Sequence, residues 1–227
     1  MPAAFLFDMD GLLLDTERVY LNAFEECGTA FGLKEGQAHT LYLSLVGHSG
    51  AESGRRMAAV LEPDISVSAF ETRVVELIEA KLAQGMPVRP TVRDTLARLR
   101  EKGAEMAVVT STKGDSARSH LEQAGLLDHF QFVLGGDEVS ANKPDPAPYR
   151  EAAARFGFDP KHCAAFEDSD PGVTAAAKAG CLAVQVPDLR PSDRPFAEVG
   201  QMFAETLHHA VSLAEDEMAR LRASLSV

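Results

Sequence analysis

The chain of 227 residues, 45% hydrophobic and 25% charged, suits one sizeable core or a core carrying a smaller inserted domain, and its composition excludes fibrous, disordered and low-complexity classes. With 22 basic against 34 acidic residues, its formal charge of −12 argues against nucleic acid as a partner. No run reaches the roughly 18 apolar residues of a membrane span, so no membrane partner is expected. The start, MPAAFLFDMDG, has no basic leader and runs straight into an apolar segment, and the expectation is a cytoplasmic protein, a monomer or weak homodimer. Cys27, Cys163 and Cys181 have no metal-ligand spacing and read as buried, reduced thiols.

In chain order, residues 3–7 read as a buried strand ending in the acidic, glycine-containing DMDG. Asp15 or Thr16 caps a helix from Glu17, with Val19, Tyr20, Ala23, Phe24 and Cys27 on one face, stopping near Gly28 or Gly32. Helical patterns follow over 37–45, 51–61 and 68–82, with turns at Gly47, Gly50, Pro63 and Gly85. From Pro87 the rhythm changes to helices alternating with short apolar strands. Helices are expected at 91–102, 115–123, 146–156, 173–179 and 205–224, and strands at 104–109, 132–134, 163–166 and 182–186. That alternation predicts an α/β fold: a Rossmann-like parallel sheet covered by helices, built from residues 1–14 and 87–227, with an all-helical domain inserted at 15–86.

Ligands of open parallel sheets gather at the carboxyl ends of the strands. There the sequence puts Asp8 and Asp10 after the first strand, Thr110 and Ser111 after the second, Lys143 after the third, and Glu167 and Asp168 after the fourth. Four carboxylates and one lysine at one edge carry a charge of about −3, which requires a bound cation. The donors are all hard oxygens, so Mg²⁺ suits them better than zinc.

The segments FDMDGLLLDTE, VVTST, NKPDPAPY and AFEDSDPGV resemble, in order and spacing, the four motifs of the haloacid dehalogenase-like hydrolases, and among these most nearly the phosphatase and phosphoglucomutase group. The resemblance covers about two thirds of the chain, and the helical insert is similar to that superfamily's cap, whose closure would exclude water from the reaction. It implies Asp8 as the nucleophile, Asp10 as acid and base, Thr110 and Ser111 as hydrogen-bond donors to the phosphoryl oxygens, and Lys143 as the neutralising cation. It also implies Mg²⁺ held by Asp8, the Asp10 backbone carbonyl and Asp168, with Glu167 beside them. Asp170 and Gly172 shape the turn into the next helix, Ser169 supports it, and Asp15 begins the cap. Of the seven histidines, His48, in the turn Gly47 to Gly50, is the one expected to face a substrate.

The expected activity is hydrolysis of a small phosphorylated metabolite, a sugar phosphate or nucleoside monophosphate. Asp10 argues against dehalogenation, whose enzymes lack the second aspartate. Lys34 and Lys81 are poor candidates for the Schiff-base lysine of phosphonate-cleaving relatives. A hexose-phosphate mutase of the β-phosphoglucomutase type is the alternative, although Tyr20 and the run from Gly47 to Gly50 stand where its histidine and arginine are expected, leaving Arg55 or Arg56 as displaced substitutes. An inactive binding module conflicts with a complete set of motif residues.

Overall fold

The computed structural model describes residues 1–45, 50–63, 65–190 and 195–224. The chain divides into two compact units, one comprising Met1–Asp15, Pro87–Asp188 and Pro195–Val227, the other Thr16–Met86 with Leu189–Arg194.

The larger unit is a six-stranded sheet in the order β3-β2-β1-β4-β5-β6, parallel throughout. Its strands are β1 (Ala4–Phe7), β2 (Glu105–Val109), β3 (Phe132–Leu134), β4 (Cys163–Glu167), β5 (Leu182–Gln185) and β6 (Met202–Phe203). The AFLF run of β1 is wholly buried because it lies mid-sheet, with Phe7 level with Val108 on one side and Phe166 on the other and helices on both faces.

Phe5, Phe7 and Phe166 stack with ring centroids 5.0 to 6.5 Å apart. Ala4, Leu6, Ala107, Val109, Cys163 and Ala165 form another cluster, into which Tyr149, Ala152 and Ala153 of α7 (Ala147–Phe156) and Val173, Ala175 and Ala176 of α8 (Asp170–Ala179) pack. The alanine-rich helix faces meet small sheet side chains here, Ala4, Ala107, Cys163 and Ala165 among them, which lets helix and strand approach closely. The other α-helices of this unit among the described residues are α5 (Val92–Glu101), α6 (Gly114–Gln123) and α9 (Leu207–Ser224). Arg98 of α5 and Glu215 of α9 pair at 2.8 Å, as do Lys102 and Glu215.

The smaller unit contains α1 (Thr16–Ala30), α2 (Gln37–Leu45), α3 (Gly50–Ala58) and α4 (Val67–Leu82). Its core joins Ala23, Phe24 and Cys27 of α1 to Ala38 and Leu41 of α2, Met57 of α3, and Phe70 and Leu77 of α4. Phe24 meets Phe70 edge to face at 5.0 Å, the geometry that aromatic quadrupoles favour. Ser66 caps α4 by accepting the Ala69 N–H at 3.4 Å.

Beyond shifts of one or two residues at element ends, three features differ from the sequence reading. Helix α3 ends at Ala58 rather than 61: Val60 N–H donates back only three residues, to Met57, and Pro63 bars further helix. Helix α8 starts three residues before the 173 that the apolar spacing indicates, because Ser169 accepts the Gly172 N–H at 3.2 Å and Pro171 suits a first turn. The two-residue β6 was not anticipated, being too short to carry alternation. All three cysteines are buried and free.

Candidate active site

Four loops leave the sheet at the carboxyl ends of β1, β2, β3 and β4, on both sides of the point where strand order reverses, and each delivers part of one cluster. Asp8 follows β1 and is only 7% exposed. Its N–H still donates to Phe166 O at 3.0 Å, as if the strand continued, so the backbone holding this carboxylate is fixed by sheet pairing. Glu167 is the last residue of β4 and fully buried. Lys143, from the loop between β3 and α7, puts its Nζ 2.6 Å from Asp8 Oδ1, 2.6 Å from Glu167 Oε1 and 2.8 Å from the Val109 carbonyl. One ammonium thus spends its three donors on two carboxylates and the end of β2.

The loop that carries Lys143 is tied down upstream. Asp137 accepts the Gly114 N–H at 2.8 Å. Glu138 accepts the Gly135 N–H at 2.8 Å and is gripped by Arg118, which also holds Asp115.

Asp8, Glu167 and Asp168 each offer an oxygen, all within 4.8 Å of one another. Three hard donors at that spacing could hold a hard metal cation. Two glycines make the approach possible. A Cβ on Gly11, whose φ is +79°, would stand 2.5 Å from Asp168 Oδ2, and one on Gly172 would stand 1.9 Å from Glu167 Oε2.

The electrostatics point the same way. Burial pushes the Asp8 carboxyl up to about 8; Lys143 pulls it down, and Glu167 and Asp10 add to the rise. A cation at the cluster would favour the charged carboxylate. Burial also opposes the charge on Lys143, yet Asp8 and Glu167 outweigh it and hold the ammonium above the usual lysine range.

Thr110, at the end of β2, is buried and accepts the Thr112 N–H on its Oγ1 at 3.1 Å. Ser111 is exposed. Asp10 receives a hydrogen bond from Thr112 Oγ1 at 2.7 Å. The geometry therefore brings Asp8, Lys143, Glu167 and Asp168 into one contact group and ties Asp10 to the β2 loop. His48 lies outside the described residues.

Three participants were missed by the sequence reading. Thr112 was present in VVTST, two residues beyond Thr110. Tyr149, fully buried on α7, donates its hydroxyl to Glu167 Oε1 and sets its ring 5.4 Å from Lys143 Nζ; burial, then Glu167, pushes that hydroxyl well above its ordinary pKa. Gln185, buried at the end of β5, donates to the Asp168 carbonyl at 3.2 Å and to Asp170 Oδ1 at 3.1 Å. An aromatic or amide among apolar neighbours reads as packing, and only the fold puts these two beside the carboxylates.

A family model described as haloacid dehalogenase-like hydrolase matches residues 5–186. YhcW of Bacillus subtilis (strain 168), provisionally designated a phosphatase, is 33% identical over 97% of this chain and 96% of its own length. The phosphorylated carbohydrates phosphatase of Thermotoga maritima is 32% identical over 78% of this chain and 81% of its own. Among crystal structures, one from Thermotoga maritima provisionally designated a beta-phosphoglucomutase superposes with a TM-score of 0.77 at 27% identity, over 94% of this chain and 98% of that one. No helix among the described residues is long and apolar enough to cross a membrane.

Proposed function

Because the chain belongs to the haloacid dehalogenase-like hydrolases, we propose that it is a magnesium-dependent phosphomonoesterase acting on a small phosphorylated metabolite, a sugar phosphate or nucleoside monophosphate. The observation that carries this reading is the Lys143 ammonium, 2.6 Å from both Asp8 and Glu167, at the edge where three carboxylates converge. A lone DxD would cap a turn as readily as catalyse. A buried lysine bridging one of its aspartates to a second carboxylate is costly in desolvation and exceeds what capping a turn needs.

In the first half-reaction an Asp8 oxygen attacks phosphorus in line with the leaving oxygen. The bond to the leaving group breaks as the aspartyl-phosphate forms. Asp10, held by Thr112, gives its proton to the departing alkoxide. In the second half-reaction Asp10 takes a proton from the attacking water, the Asp8–phosphorus bond breaks, and inorganic phosphate leaves. Thr110 and Ser111 donate to the equatorial oxygens, and Lys143 offsets charge between nucleophile and phosphoryl group. Asp8, the Asp10 carbonyl and Asp168 would hold Mg²⁺, with Glu167 beside them. When bound, the ion supplies positive charge to the phosphoryl oxygens. We assign residues 1–14 and 87–227 to the catalytic core and 15–86 to the cap. Similarity to a phosphatase of phosphorylated carbohydrates favours sugar phosphates as the first class to assay.

The test is phosphate release across a panel of phosphorylated metabolites, with and without Mg²⁺, with Asp8→Asn as the blank. Selective release that needs both the metal and Asp8 is expected; release unchanged by EDTA, or retained above about 1% in Asp8→Asn, overturns the mechanism, since loss of an essential group costs several kcal/mol. Similarity to a provisionally designated beta-phosphoglucomutase favours a mutase as the second reading. Glucose 6-phosphate appearing from glucose 1-phosphate without free phosphate would select it.

A further inference from the structure

Tyr149 is the largest of the fully buried side chains, and the proposed chemistry leaves it without a task. Its hydroxyl and the Lys143 ammonium both donate to the same oxygen, Glu167 Oε1. The opposite oxygen, Oε2, accepts a long hydrogen bond from Ser169 Oγ at 3.4 Å and lies against the open flank of Gly172. The two short bonds on Oε1 dominate the rotation of the carboxylate about its last bond, and without Tyr149 it rests on Lys143 and the long Ser169 bond. The ring of the same tyrosine stands 5.4 Å from Lys143 Nζ and backs the ammonium on its way to Asp8.

We propose that Tyr149 is a positioning residue for the metal-binding carboxylates, its hydroxyl setting the orientation of Glu167 and its ring the direction of Lys143. The inference rests on reading Asp8, Glu167 and Asp168 as the cation cluster. The choice of side chain has a physical reason. A second lysine or arginine would orient Glu167 equally well, but its charge would cancel the attraction that the cluster has for a divalent cation. A phenol orients without adding charge, and partners that orient ligating carboxylates commonly govern metal affinity by about 10- to 100-fold.

The test is Mg²⁺ binding by calorimetry on the full chain, Tyr149→Phe, Glu167→Gln and the double variant, with thermal melts as the check on folding. Tyr149→Phe should weaken Mg²⁺ binding about tenfold, and the same change in the Glu167→Gln background should add less than about twofold, because the partner it orients is gone. Unchanged affinity in Tyr149→Phe, or an equal loss in both backgrounds, overturns the proposal. A wild-type chain that binds no Mg²⁺ overturns the metal reading first and the inference with it.

A second measurement holds if the phenylalanine variant fails to fold. The chain has three tyrosines, so the 3-fluorotyrosine-labelled protein gives three fluorine resonances, assigned with Tyr20→Phe and Tyr42→Phe. Saturating Mg²⁺ should move the Tyr149 resonance; a resonance that stays put counts against the proposal.

Discussion

Replacing Gly172 by alanine sets two calculable effects against each other. Gly172 sits in the first turn of α8, and alanine there should favour the helix by up to about 1 kcal/mol on propensity alone. The new Cβ, however, would stand 1.9 Å from Glu167 Oε2 and 2.1 Å from its carboxyl carbon, more than 1 Å inside a normal van der Waals contact of about 3.4 Å. The carboxylate has no easy escape: Glu167 is paired with β5 through Gln185, and Oε1 is held by Tyr149 and Lys143. Swinging it clear breaks at least one bond to a charged group, worth about 1.5–3 kcal/mol, so the clash wins. A net loss of about 1–2 kcal/mol lowers the melting temperature by roughly 2–8 °C for a chain of this size. Mg²⁺ affinity should fall at least about tenfold, because the carboxylate that moves belongs to the cluster. Thermal unfolding and calorimetric Mg²⁺ titration of the one variant check both. A Gly172→Ala protein with a higher melting temperature and unchanged Mg²⁺ affinity would refute the close packing of this glycine against Glu167.

Asp10→Asn should slow ester cleavage by about 100-fold or more, the loss of a general acid, measured as phosphate release at saturating substrate. Thr112→Val removes the hydroxyl that donates to Asp10 at 2.7 Å and should lower kcat roughly tenfold, in keeping with about 1.5 kcal/mol for a bond to a charged group; the same kcat as wild type would release Asp10 from this contact. Burial opposes the charge of Glu215, yet Lys102 and Arg98 overcome it and hold the carboxyl below the usual glutamate range. A depressed native pKa contributes stability above the unfolded pKa and loses it as pH falls through the native one. Urea unfolding across the acid range should therefore show a shallower loss of stability in Glu215→Gln than in the wild type, and parallel curves would contradict the sign.

The alternation of helices and apolar runs after Pro87 makes the parallel sheet legible, because strands buried on both faces must be apolar throughout and the glycines between elements punctuate them. Strand order is not legible, since nothing in AFLF itself says that β1 lies between β2 and β4. The edge strand Met202–Phe203 escapes because a two-residue element has no period. It forms where Met202 meets Val184, a contact that local sequence does not encode.

What was legible of the site follows a chemical rule: several charged residues gathered at the carboxyl ends of apolar strands announce a site that no one of them would. Asp8, Glu167 and Asp168 obey it, and Lys143, in the loop beyond β3, reads through its NKPDP setting. Tyr149, Gln185 and Gly172 do not obey it, because none carries a charge. Their task is relational: the tyrosine orients a glutamate eighteen positions away, the glutamine holds the Asp168 carbonyl from the next strand, and the glycine vacates the space into which Glu167 points. The motif therefore exposes the groups proposed to touch the phosphoryl group. The residues that give those groups their geometry emerge only when α7, α8 and β5 pack around β4, and it is on these supports that the charge at the sheet edge depends for being held in place.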